Sequence, residues 1–142
     1  APVGAYISVT GQFSLLSVIY SLIVLTWVSG FDIIYSLMDD SFDRDNQLYS
    51  IPASLGIRRA ILVSLFIHLI TVILVIFAGV KGEGGVLFWT GSLIFISLLI
   101  YQHLIVKSYD LSRVNIAFGT TNGVASIFFA VFVILDLILL NN

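Results

Sequence analysis

Asp32, Tyr35, Asp39 and Asp43 are the residues whose spacing is best suited to chemistry. At about 100° per residue the four fall within roughly 80° of one another on a helix, whereas Asp40 points off that face. Asp39 and Asp43 form an i, i+4 pair of like charges, which weakens a helix unless a cation lies between them. Paired carboxylates with little else are hard-oxygen ligands suited to Mg²⁺. The segment that carries them, Gly30-Phe31-Asp32-Ile33-Ile34-Tyr35, closes a long apolar stretch. An acid that close to an apolar helix costs on the order of 3 kcal/mol in a bilayer unless it faces a polar cavity. The plainer reading is a helix end emerging into water. It suits Asp40 and Asp45, but it does not account for Asp32 or for the common face.

Other polar residues each admit two readings. Tyr35 either orients a substrate beside Asp32 or anchors the helix at a membrane interface. Arg58 and Arg59 can hold phosphate oxygens bidentately, or serve as topology determinants among lipid headgroups. Lys107 either neutralises a phosphate or snorkels to headgroups, and it shares a face with His103. Asn122 either lines a polar cavity or joins helices beside Gly119 and Gly123. His68 reads as a neutral histidine hydrogen-bonded between helices, and Asp136 as an interfacial acid. No cysteine is present, so thiolate chemistry and disulfides are excluded. Nucleophile elbows and glycine-rich phosphate loops are also missing.

The elements that hold these residues follow from composition. Of the 142 residues 59% are hydrophobic and only 10% charged, too few charges for a water-soluble domain of this size. Charge-free apolar runs at 13–31, 60–80, 86–106 and 116–135 each approach the roughly 20 residues that cross a bilayer as a helix. The expected fold is an all-α transmembrane bundle of four spanning helices, at about 13–38, 57–80, 86–107 and 116–140. A polar loop at 39–56 follows the first. Arg44, Arg58, Arg59, Lys107 and Arg113 lie in the first and third connections against Lys81 in the second, which places the acidic motif on the cytoplasmic side. A net charge of −2 without a basic tail gives no sign of a nucleic-acid partner. The opening residues lack the basic region of a signal peptide and read as the tail of a preceding membrane element.

The row Asp32-x-x-Tyr35-x-x-x-Asp39-x-x-x-Asp43 resembles the second aspartate-rich motif of the UbiA superfamily of intramembrane prenyltransferases. Further stretches resemble its 4-hydroxybenzoate polyprenyltransferase branch: Ala1 to Ala5, Trp27 to Tyr35, Ser50-Ile51-Pro52-Ala53, Gly56, His103, Val106-Lys107, Asp110 to Asn115, Ala117-Phe118 and Asn122-Gly123. The resemblance implies a bundle of about nine membrane segments, of which this chain supplies the last four. It also implies transfer of a prenyl chain from a polyprenyl diphosphate to an aromatic acceptor such as 4-hydroxybenzoate, in quinone biosynthesis at a bacterial inner membrane. By that resemblance Asp39 and Asp43 bind the Mg²⁺-diphosphate, Asp32 and Tyr35 border the reacting centre, and Arg58, Arg59, Lys107 and Asn122 contact substrate.

Two departures accompany it. The family's first aspartate motif, of the Asn-Asp-x-x-Asp type, does not occur in this sequence, so the chain is expected to act only with an N-terminal half that carries it. Gln47 stands where many relatives carry glycine, and Tyr49 where they carry histidine or lysine. Within the family, acceptors of the menaquinone, haem O or archaeal-lipid type are the alternatives. The alternative from another class is a non-catalytic bundle that binds or transports a divalent cation, which would set polar residues along one route across the membrane.

Overall fold

The computed structural model describes residues 2–140. All its named elements are helices, with no strand among the described residues. A short helix α1 (Pro2–Thr10) leads through Gly11 into α2 (Leu15–Ser36), a 3-10 turn Leu37–Asp39 and α3 (Asp40–Asp45). Helix α4 (Ile51–Leu55) then meets α5 (Ile57–Lys81), followed by α6 (Val86–Ile105), a π-helical turn Ile116–Thr121 and α7 (Asn122–Leu140). The four spanning helices are present, each long and apolar enough to cross a membrane. The first ends at Ser36 and the third at Ile105, each two residues before the expected bound.

Local sequence explains the corners. Ser50 Oγ accepts a hydrogen bond from the Ala53 N–H (3.2 Å), and Pro52 occupies the first turn, where a missing N–H costs nothing. Gly56 has φ 84°, a conformation that side chains resist, and this lets α4 and α5 abut without an intervening loop. Helix α6 lacks a capping side chain of its own. Asp136, read from sequence as interfacial, is 5% exposed and accepts hydrogen bonds from the Gly85 and Leu87 N–H groups (2.8 and 3.1 Å). A carboxylate there satisfies orphan donors and suits the positive end of the helix dipole.

Two antiparallel pairs make the bundle, α2 with α5 and α6 with α7, and α5 also touches α6. Gly30 on α2 is small because the His68 ring occupies the space a Cβ would need. The close approach lets Ser64 Oγ donate to the Gly30 carbonyl (2.6 Å) and Thr71 Oγ1 to Thr26 Oγ1 (2.9 Å). Small residues with hydrogen bonds between helices are how spans associate where lipid removes the hydrophobic drive. His68, Gln102, Ser64, Thr71, Ser92 and Asn122 are buried, while Leu62, Phe66, Leu93, Ile127 and Leu139 are exposed. That inversion suits a solvent of hydrocarbon and not of water.

Candidate active site

An apolar cluster gathers Ile33, Ile34, Leu37, Ala60, Val106, Val114 and Ala117, with Ile57 and Leu111 packed on it. It ties the end of α2, the start of α5 and the loop after α6 to one end of the bundle. The acids of the 32–45 segment, Arg58 and Arg59 in the first turn of α5, and Lys107 in the loop therefore share that end. Arg58, Arg59 and Lys107 are exposed.

The acidic row is not one continuous α-helical face. Through the 3-10 turn Leu37–Asp39 each residue advances about 120° instead of 100°. Asp39 itself leaves helical geometry, at φ −99° and ψ 4°. Across three residues this adds roughly 60° of rotation, so Asp32 and Tyr35 lie before a change of face and Asp43 after it. Leu37, 1% exposed, is seated in the cluster by that turn.

Asp32 and Asp39 are exposed, Asp43 is half-buried, and none of the three carboxylates has a hydrogen-bonding or ion-pairing partner among the described residues. Asp43 lines an open cleft of about 450 Å³ with Arg44, Gln47, Leu48, Tyr49, Ala53 and Ser54. Asp40, read from sequence as simply solvated, is instead largely covered: its side chain is 16% exposed and pairs with Arg44 Nε at 3.1 Å. Arg44 also donates from Nη2 to the Pro52 carbonyl (3.0 Å), so this pair fastens α3 to α4 beside the cleft. Gln47, at φ 55°, turns the chain out of α3.

Tyr35 is 42% exposed and makes no hydrogen bond with Asp32. Its ring stacks on Phe118 with centroids 4.2 Å apart, and Phe118 meets Phe31 edge-on at 5.5 Å. Phe118 belongs to the π-helical turn before α7, a feature often found at functional sites. Sequence reading gave it no role, since nothing in its spacing announces a π turn. Asn122, directly after that turn, is 7% exposed, and neither atom of its amide has a partner among the described residues.

In the loop after α6, Lys107 and Asp110 exchange backbone hydrogen bonds. Asp110 is held below the usual carboxylate range by hydrogen bonds from the Ser112 side chain and N–H, with Arg113 adding to the effect. His68, as expected from sequence, bridges helices: its Nε2–H donates to the Trp27 carbonyl (3.2 Å) and its Nδ1 lies 2.8 Å from His103 Nε2.

The donors available for a metal are carboxylate oxygens, the chemistry Mg²⁺ prefers. Among the described residues no three His, Cys, Asp or Glu side chains gather closely enough to hold an ion by themselves. Asp39 and Asp43 offer such carboxylate oxygens at this end of the bundle, one exposed and one half-buried.

Compared with known protein families, residues 1–137 match the UbiA prenyltransferase family. The chain matches no curated protein and no solved structure.

Proposed function

The chain belongs to the UbiA prenyltransferase family, an integral membrane protein of prenyltransferase type, and from that premise we propose Mg²⁺-dependent transfer of a polyprenyl group. The donor is a polyprenyl diphosphate and the acceptor an aromatic ring such as 4-hydroxybenzoate, in quinone biosynthesis, with the acidic end facing the cytoplasm. A partner segment bearing a second acidic motif completes the site. The observation that carries this reading is the set of unpaired carboxylates at one end of an apolar bundle, with Arg58, Arg59 and Lys107 at the same end.

Asp39 and Asp43 would hold the metal, which when bound neutralises the diphosphate oxygens and so stabilises the leaving group. Arg58, Arg59 and Lys107 supply further donors to those oxygens as charge builds on them. Asp32, Tyr35 and Phe118 border the reacting carbon. There the allylic C–O bond breaks, an acceptor ring carbon bonds to the freed allylic carbon, and the ring proton is lost. The apolar helices receive the hydrocarbon tail and keep water from the allylic cation. Asn122, buried at the start of α7, is the remaining candidate for substrate contact.

The test is prenyl transfer in membranes, assayed with radiolabelled polyprenyl diphosphate and 4-hydroxybenzoate. Asp39→Asn and Asp43→Asn in the complete enzyme should each reduce turnover about 10²-fold or more without preventing membrane insertion. Full activity in either variant removes the metal assignment. Transfer to another aromatic acceptor, with none to 4-hydroxybenzoate, corrects the branch and keeps the chemistry.

A further inference from the structure

At the end of the bundle opposite the acidic segment lies a buried charge that the proposed reaction does not use. Asp136 is 5% exposed, and no cation pairs with it among the described residues. Its two oxygens accept one N–H each, from Leu87 and from Gly85. A carboxylate has about four lone-pair sites, so each oxygen keeps room for another donor. Buried charges are ordinarily matched by an opposite one, and here the chain supplies none.

That free capacity borders a cavity. Asp136, Tyr20, Leu16, Gly82, Phe88 and Val133 are among the walls of a largely enclosed space of about 60 Å³, enough for a small polar group. Gly82 directly follows α5, so the negative end of that helix's dipole lies at the same space. A carboxylate, a phenol oxygen and a helix C-terminus together favour a compact cation that donates hydrogen bonds. Leu16, Tyr20 and Leu137 also line a more open, apolar cleft of about 320 Å³ that reaches Pro2 and Tyr6 on α1. An occupant of both spaces therefore has a cationic head and a hydrocarbon chain. The depth agrees, because Asp136 lies in the last turns of α7, level with the start of α6, where headgroups meet the hydrocarbon of a bilayer.

We propose that Asp136 and Tyr20 bind the primary ammonium of a phospholipid headgroup at this face, with an acyl chain in the cleft between α1 and α7. A primary ammonium carries three N–H donors in a compact group, which suits the free lone pairs of Asp136 and the Tyr20 oxygen. A quaternary ammonium is bulkier and has no N–H to give, and an anionic headgroup meets a like charge. The inference stands on Asp136 and the two adjoining spaces and does not depend on the proposed reaction.

Melting of the complete, delipidated protein in detergent micelles tests it, with phosphatidylethanolamine, phosphatidylcholine or phosphatidylglycerol of identical chains added back. Phosphatidylethanolamine should raise the melting temperature more than either of the others. In Asp136→Asn, which keeps an acceptor for the start of α6 but removes the charge, that selective rise should be lost, and Tyr20→Phe should reduce it. An equal or larger rise from phosphatidylcholine or phosphatidylglycerol in the unaltered protein overturns the proposal, whether or not the variants fold. So does a full selective rise that persists in Asp136→Asn, which would put the lipid elsewhere.

Discussion

Gln47 shows how one backbone conformation can reveal what a position asks for. Its φ of 55° lies in the left-handed region, where a side chain costs about 1–2 kcal/mol and glycine costs nothing. A glycine at this position would therefore have a conformational advantage, independent of any phosphate contact. Gln47→Gly should raise stability by about 0.5–1 kcal/mol, the relief of strain less the extra freedom of an unfolded glycine. Thermal unfolding of the purified protein measures it, and a loss of stability would mean that the Gln47 side chain contributes to the cleft beside Asp43. Asp40 offers a similar lesson: its pairing with Arg44 was legible as an i, i+4 spacing. The additional grip of Arg44 on the Pro52 carbonyl was not, because it depends on where α4 folds back.

Helix termini decide how the elements join. Helix α6 begins at glycines and relies on Asp136 of α7 for its cap, so the two helices of this pair are fastened at their far end as well as along their length. Asp136→Ala should cost about 1–2 kcal/mol and loosen the start of α6. Hydrogen exchange at the Gly85 and Leu87 amides reports it, and unchanged protection there would show that water caps the helix equally well. Asp136→Asn should recover part of the loss, since an amide oxygen still accepts a hydrogen bond. The 3-10 turn at Leu37–Asp39 is the counterpart at the acidic end. It places a buried leucine and an exposed aspartate within three residues, which a uniform helix of the same length would not do.

Across the whole molecule, charge divides between the ends. Arg58, Arg59 and Lys107 accompany the acidic segment, and Lys81 closes α5 at the other end. If the basic end faces the cytoplasm, as the positive-inside tendency requires, single cysteines in this cysteine-free chain should label accordingly. Ser41→Cys should react with a membrane-impermeant thiol reagent only after the membrane is opened, and Glu83→Cys in intact cells. The reverse pattern would invert the proposed orientation. The sequence by itself determined the helical class, the four spans, the clustering of charge at one end and the bridging role of His68. Apolar length, charge asymmetry and a polar atom amid hydrocarbon are strong terms that need no partner to be read. Only the tertiary structure decided the break in the acidic face, the grip of Arg44 on the Pro52 carbonyl, the capping by Asp136, the stacking of Phe118 on Tyr35 and the seclusion of Asn122. Each of those depends on a neighbour distant along the chain, or on a local turn stabilised by packing, and helical periodicity carries no record of either.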